Sequence, residues 1–170
     1  TSMRNSGTVD ECRFEKQVHK IEGAKEIVET WLEDGRDHHF VHTLTWTKGE
    51  YALGSTTTIV NNADTPTTME LLTSFSIGLI SPFEEAECLK IHRIRSKWSQ
   101  EGRLVTESAE DLQLEPSWAY WQVNSTRYGQ IGSMPVKGYF PFGAVEDTKA
   151  GVVWAAQLAI ECSWQMEFYR

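Results

Sequence analysis

The sequence has few cysteines and lacks the long apolar runs of a membrane protein. Its three cysteines, Cys12, Cys88 and Cys162, are far apart without CxxC spacing, so neither a zinc site nor a disulfide framework is indicated. They are expected to be reduced thiols, which predicts a cytoplasmic protein. No stretch approaches the roughly 20 apolar residues of a membrane helix. Thr1–Asp10 lacks the apolar core of a signal peptide.

The sequence also has fewer basic than acidic residues. The chain has 16 lysines and arginines against 24 acidic residues, which gives a net charge of −8. A nucleic-acid partner needs a basic surface for its phosphates and is therefore not expected, and no membrane partner is expected either. There is no GxSxG elbow. Gly129–Gly132 lacks the lysine of a phosphate-binding loop, so no cofactor is predicted.

What the sequence does have is β-strand patterning. Apolar residues make up 40% of the chain, and seven tryptophans add bulk for a core. Alternating segments at a spacing of about 10 residues, separated by turn residues, predict an all-β fold, an antiparallel β-sandwich that is incomplete in itself. One domain, residues 8–170, is expected after a linker at residues 1–7. The predicted strands include Cys12–Ile21, Ala24–Asp34, His38–Thr47, Tyr51–Val60, Thr67–Ile80, Leu89–Ser96 and Trp118–Val123.

The last 20 residues, Gly151–Arg170, carry the clearest strand pattern. Trp154, Ala156, Leu158 and Ile160 are predicted to share one buried face, and Trp164, Met166 and Phe168 another. A turn at Glu161–Ser163 predicts that the two strands pair as a hairpin. Because domains rarely end within a strand, the chain is expected to be a piece of a longer polypeptide. The glycine-rich and proline-containing Tyr128–Gly143 is predicted to be an ordered loop.

Two groups of polar residues are candidates for chemical sites. His38 and His42 share a face of a predicted strand while His39 points away, so surface histidines are favoured and no metal site is predicted. Paired carboxylates would suit sugar hydrolysis, but no candidate has a readable catalytic environment, so no catalytic residue is predicted. Glu101 is expected to form an ion pair with Arg95. The carboxylates considered were Glu101, Glu146, Asp147 and Glu167.

Aromatic residues give the remaining candidate for a binding site. Trp118, Tyr120 and Trp121 lie close together in the sequence, and aromatic rings can stack on the apolar faces of sugars. They are the candidate substrate-binding residues. Packing in the core is the alternative and is favoured, because buried aromatic rings dominate the energetics of small sandwiches.

Five runs in the same order are similar to the N-terminal β-domain of family 36 glycoside hydrolases, the α-galactosidases. The resemblance begins at about Asn61 and is diffuse before it. The runs are LLTSFSIG at Leu71–Gly78, HRIRSKWSQEGRL at His92–Leu104, LEPSW at Leu114–Trp118, RYGQIGSMPVKGYFPFGAVED at Arg127–Asp147, and VVWAAQLAIECSWQMEFYR at Val152–Arg170.

The resemblance implies a β-domain of the super-sandwich type that precedes a (β/α)8 barrel. In that family the two catalytic aspartates lie on the barrel, which implies a retaining α-galactosidase parent and a non-catalytic role for this chain. Members often assemble as oligomers, so a homo-oligomer is expected. An incomplete sandwich is also expected to pair with itself through an exposed edge.

Other functions remain open at this point. A stand-alone glycan-binding module would use Trp118, Tyr120 or Trp121, and a structural domain would bind no ligand. A parent with α-N-acetylgalactosaminidase activity is not distinguished from an α-galactosidase, because the residues that contact the sugar lie on the barrel.

Overall fold

The computed structural model describes residues 10–81, 86–114 and 124–169. It divides into two compact units, Thr1–Gly78 and Leu79–Arg170. The fold is all-β, with antiparallel sheets that do not close into a barrel, which confirms the predicted class. Within the described ranges, no helix is long and apolar enough to cross a membrane.

The first unit contains one four-stranded antiparallel meander. Tight turns connect the strands, and Gly23 occupies the first turn with a φ of 63°, a conformation that glycine adopts without a steric penalty. The neighbouring order is β1-β2-β3-β4, so each strand pairs with the next in sequence. The strands are β1 (Arg13–Glu22), β2 (Lys25–Glu33), β3 (His38–Thr47) and β4 (Leu53–Asn61).

The prediction of a strand over Thr67–Ile80 is wrong, because residues 62–81 contain no strand. The Ser55 hydroxyl donates a hydrogen bond to the carbonyl of Ser74, and the Thr57 hydroxyl donates one to that of Thr73, both at 2.8 Å. Side chains of β4 therefore hydrogen-bond to carbonyl groups of this segment, which in a β-strand would accept hydrogen bonds from the backbone of a neighbouring strand.

The second unit contains a four-stranded sheet and a two-stranded ribbon. The sheet has the order β6-β5-β8-β9, and the ribbon pairs β7 with β10. A 3₁₀ turn at Ala86–Cys88 leads into the first of these strands. The strands are β5 (Leu89–Ser96), β6 (Arg103–Ser108), β7 (Ser125–Gln130), β8 (Gly138–Asp147), β9 (Val152–Gln157) and β10 (Trp164–Tyr169).

The two final strands exist, but the prediction that they form a hairpin is wrong. β9 pairs with β8, and β10 pairs with β7. The tight turn precedes β9: the N–H of Gly151 donates to the carbonyl of Asp147 at 2.9 Å, and the Asp147 carboxylate accepts from the N–H groups of Lys149 and Ala150. This turn makes β8 the partner of β9. The partner of β10 is β7, a strand from earlier in the chain.

Other sequence predictions for this unit have mixed outcomes. Tyr128–Gly143 is not a loop throughout, because β7 ends within it and β8 begins within it. The buried face of β10 is confirmed, since Trp164 and Met166 are both 7% exposed. The predicted face of Trp154, Ala156, Leu158 and Ile160 is only partly buried. Ala156 and Leu158 pack against Tyr128, Trp164 and Met166, whereas Trp154 is 46% and Ile160 38% exposed. The predicted strand Trp118–Val123 lies outside the described residues.

The ribbon packs against the sheet through a cluster of large side chains. Tyr128 from β7 and Trp164 and Met166 from β10 are buried together, with Phe168 packed beside them. On the opposite layer lies Gly143 of β8. A Cβ atom there would lie 2.4 Å from the Tyr128 hydroxyl and 2.7 Å from both the Met166 sulfur and the Phe168 ring. Gly143 therefore lets the two layers approach each other closely.

We expect Gly143→Ala to destabilise the protein by about 1–3 kcal/mol, because an added methyl group overpacks a buried contact. Thermal and urea unfolding followed by circular dichroism measure the change. Gly78→Ala is the matched control, since its Cβ would meet nothing within 4 Å. Equal stability of the two variants would contradict close packing at Gly143.

Candidate functional site

The aromatic candidate site stays a prediction. Trp118, Tyr120 and Trp121 fall within residues 115–123, outside the described part of the chain. Sugar stacking and the favoured alternative, packing in the core, therefore both rest on the sequence alone.

The three clustered histidines have separate hydrogen-bond partners. His39 Nδ1 lies 3.0 Å from a Glu15 oxygen, and His42 Nε2 lies 2.9 Å from the Ser55 hydroxyl. Among the described residues, no group of three or more histidine, cysteine or acidic side chains is arranged to hold a metal ion. His38 is only 9% exposed, so the expectation of a surface histidine is wrong for this residue.

His38 lies between a carboxylate and a hydroxyl. Its Nδ1 is 2.8 Å from Asp34 Oδ2, and its Nε2 is 2.7 Å from Thr67 Oγ1. A carboxylate only accepts, so Nδ1 donates to Asp34. In the neutral ring, Nε2 then accepts from the Thr67 hydroxyl. The sequence pattern missed this arrangement because Thr67 is 29 residues from His38.

The Asp34 carboxylate is held by several donors in a buried position. Its side chain is 3% exposed, and Oδ1 also accepts from the N–H groups of Arg36 and His38. Burial is the largest influence and raises the pKa of Asp34. The hydrogen bonds from His38 and the backbone act the other way, and the net pKa lies below its usual value.

In a hydrolytic triad a carboxylate orients an imidazole, and the imidazole acts as the base for a hydroxyl nucleophile. The carboxylate, imidazole and hydroxyl described above are hydrogen-bonded in the same order. A neighbouring cavity of about 310 Å³ is lined by Asp34 but not by His38 or Thr67. A molecule in that cavity would therefore not reach the hydroxyl. The arrangement is best explained as a tie that holds the segment after β4 in place within the first unit.

We expect Asp34→Asn to lower the free energy of unfolding by about 1.5–3 kcal/mol at pH 7, the range for hydrogen bonds to a charged group. Because the folded-state pKa of Asp34 is lowered, its contribution is complete above about pH 4 and is lost as pH falls through the folded value. The difference between parent and variant should therefore shrink on acidification, as measured by urea unfolding.

Asp64→Asn changes net charge equally at an exposed loop position. It should leave the stability at pH 7 within about 0.5 kcal/mol. A difference between Asp34→Asn and the parent that is the same at pH 7 and below pH 3 would contradict a stabilising carboxylate.

The carboxylates considered as sugar-hydrolysis residues serve different contacts. Glu146 Oε2 lies 3.0 Å from His92 Nε2, whose other nitrogen lies 2.9 Å from the Thr106 hydroxyl. Asp147 caps the turn before β9. Glu167 pairs with Arg127 across the ribbon at 3.2 Å. Glu101 is exposed in the turn before β6.

A buried arginine is the strongest charged feature between the two layers of the second unit. Arg93 donates two hydrogen bonds to one oxygen of Glu107, the Nε bond at 2.9 Å. Its guanidinium also lies 5.3 Å from the Tyr128 ring centroid and 5.0 Å from that of Tyr139. Such cation–π contacts are favourable when desolvated. The arginine is therefore satisfied by a carboxylate and two aromatic faces.

The predicted ion pair between Arg95 and Glu101 is absent from the described contacts, and that prediction is wrong. Arg95 instead lies 5.8 Å from the ring centroid of Tyr139. The turn is closed by its backbone, where the N–H of Gly102 donates to the carbonyl of Arg95 at 2.9 Å. The position of the turn was predicted correctly from the sequence. The partner of Arg95 was not, because it is an aromatic ring on a later strand.

Tyr128 acts as a hydrogen-bond donor inside this cluster. Its hydroxyl donates to the carbonyl of Phe142 at 2.7 Å. Burial raises the pKa of Tyr128 well above its usual value; Arg93 acts against this effect and Tyr139 adds to it. The phenol therefore stays neutral and contributes packing and one hydrogen bond.

We expect Arg93→Met to destabilise the protein by about 3 kcal/mol, since it leaves Glu107 without its partner. The value is at the low end for a buried pair because the Glu107 side chain is 23% exposed and keeps some solvent. Lys20→Met is the control: Lys20 is 45% exposed and its partner Glu29 is 22% exposed, close to Glu107, and a pair with so exposed a cation contributes at most about 1 kcal/mol. Urea unfolding measures both, and equal losses would contradict a special role for Arg93.

Comparison with known proteins gives no relative. No protein-family model, curated protein or solved structure matches this chain.

Proposed function

We propose that this chain is the non-catalytic N-terminal β-sandwich portion of an α-galactosidase-type glycoside hydrolase. The parent would hydrolyse terminal α-galactosides with retention, in carbohydrate metabolism, with its catalytic aspartates on a separate barrel. The role of this portion is to support that barrel and to take part in the assembly of a homo-oligomer.

The observation that carries the proposal is where the resembling runs fall in the fold. His92–Leu104 spans most of β5, a turn and the start of β6, and Arg127–Asp147 spans most of β7 and β8. Val152–Arg170 spans β9 and β10. These runs thus make up most of the paired strands of one compact unit. The similarity to family 36 therefore coincides with residues that fold together.

The contacts of the polar residues support a framework role. Glu146, Asp147 and Glu167 each have a partner within the second unit. Two catalytic carboxylates would instead face a common sugar across a short gap. In the described residues, Glu146 instead contacts a histidine, Asp147 accepts hydrogen bonds from the backbone of a turn, and Glu167 pairs with an arginine.

We also place the protein in the cytoplasm. Cys12, Cys88 and Cys162 are free thiols, and free thiols are typical of a reducing compartment.

The direct test pairs this chain with a catalytic barrel. The chain alone is expected to leave a nitrophenyl α-galactoside intact. Co-expressed with the barrel of a family 36 α-galactosidase that lacks its own β-domain, it is expected to increase soluble, active barrel relative to the barrel alone. Hydrolysis by the chain alone, or no effect on the barrel, would refute the proposal.

The two parent activities differ in the barrel, so they are separated by assaying the barrel of this chain's own parent polypeptide with a nitrophenyl α-galactoside and a nitrophenyl α-N-acetylgalactosaminide. The second candidate function, a glycan-binding module, rests on Trp118, Tyr120 and Trp121. It predicts galactoside affinity by calorimetry that Trp118→Ala and Trp121→Ala abolish while the fold is kept.

A further inference from the structure

Among the described strands, β9 pairs with β8 alone and is an open edge of the four-stranded sheet in the second unit. Three apolar side chains along it are exposed: Val152 by 40%, Val153 by 56% and Trp154 by 46%. Natural sheets protect such edges with charged residues, prolines or bulges. The β9 sequence, VVWAAQ, has no charge and no proline, and its register with β8 is uninterrupted.

The other described edges are protected or polar. β1 carries five charged side chains and a register shift. β6 carries Arg103 and Glu107, and the ribbon strands carry Arg127 and Glu167. β4 is uncharged but rich in serine and threonine. Among the described strands, β9 therefore combines an uncharged edge with a row of exposed apolar side chains.

The hydrogen-bond pattern shows which backbone groups face the open side. The N–H of Leu158 donates to the carbonyl of Pro141 on β8 at 2.8 Å. Bonded pairs alternate along an antiparallel ladder, so Ala156, Trp154 and Val152 also direct their backbone groups to β8. Val153, Ala155 and Gln157 then direct theirs outward.

These outward groups fit a second copy of the same strand. A two-fold axis at Ala155 pairs Ala155 with itself and Val153 with Gln157 of the second copy, which makes about six backbone hydrogen bonds. An axis at Trp154 or Val153 makes fewer. The same register sets Trp154 opposite Ala156 of the second copy, a large side chain against a small one.

The residues flanking β9 have complementary charges. Lys149 precedes the strand, Glu161 follows it, and both are exposed. Antiparallel pairing brings the Lys149 end of each copy beside the Glu161 end of the other. Opposite charges therefore meet at both ends of the pair, which favours this direction over a parallel one.

We propose that two copies of this chain associate through antiparallel pairing of β9, centred on Ala155, to join their sheets into one. This inference identifies the strand responsible for the assembly part of the proposed function. It does not depend on any sugar hydrolysis by the parent. A negative result in the barrel assay and a negative result in the test below can therefore be told apart.

Light scattering and sedimentation over a dilution series test the pairing. The parent chain is expected to form a concentration-dependent dimer. Ala155→Pro removes an outward N–H at an edge position that tolerates proline, and it is expected to raise the dissociation constant about tenfold or more. Val153→Lys, which introduces a charge at each end of the pair, is expected to do the same.

Leu104→Lys is the matched control, because Leu104 is 59% exposed on β6 at the opposite edge of the same sheet. It should leave the dissociation constant unchanged. Circular dichroism and thermal unfolding of each variant establish that the fold is kept.

Hydrogen exchange of the peptide spanning β9 locates the contact. The amides of Val153, Ala155 and Gln157 are expected to be protected at dimer concentrations and to exchange quickly on dilution. In Ala155→Pro, which has no amide at position 155, those of Val153 and Gln157 are expected to exchange quickly at all concentrations. Three results would overturn the proposal: a monomeric parent at all concentrations, a dimer equally tight in Ala155→Pro, or β9 amides protected in the monomer, which would mean that another part of the chain covers the edge.

Discussion

The second unit depends on the contact between its two layers at Gly143. The backbone of β8 comes so close to the ribbon there that a Cβ would lie 2.4–2.7 Å from three side-chain atoms. Close approach lets Tyr128 reach the carbonyl of Phe142, and it places Arg93 against the rings of Tyr128 and Tyr139. A residue without a side chain thus allows a buried cation to be surrounded by aromatic faces and a carboxylate.

Polar side chains in both units are engaged in contacts within their own unit. Histidines and carboxylates that invite a chemical interpretation are already engaged: His38 with Asp34 and Thr67, and His92 with Glu146 and Thr106. Each links strands or segments distant in sequence. Buried polar groups are costly unless paired, so these links help to specify one arrangement of the chain.

The sequence was a good guide to strands and a poor guide to their partners. β1–β4 were predicted from alternation and turn residues, because both act over a few neighbouring residues. The pairing of β10 with β7 depends on packing across the layers at Gly143 and Tyr128, and period-two patterning carries no information about that partner. Thr67–Ile80 is rich in strand-forming residues, but hydroxyl groups of β4 bind its carbonyls. The tie between Asp34 and Thr67 also escaped the sequence, because it joins distant residues.

The most direct test of the layered packing is a double-mutant cycle between Gly143→Ala and Tyr128→Phe, measured by urea unfolding. Tyr128→Phe removes the hydroxyl oxygen nearest to the added methyl group. We expect the double variant to be more stable than the sum of the two single losses implies, by about 0.5–3 kcal/mol, the range of coupling between residues in contact. Strictly additive losses would show that the Tyr128 hydroxyl does not meet β8 at Gly143, which would contradict the closest of the three contacts there.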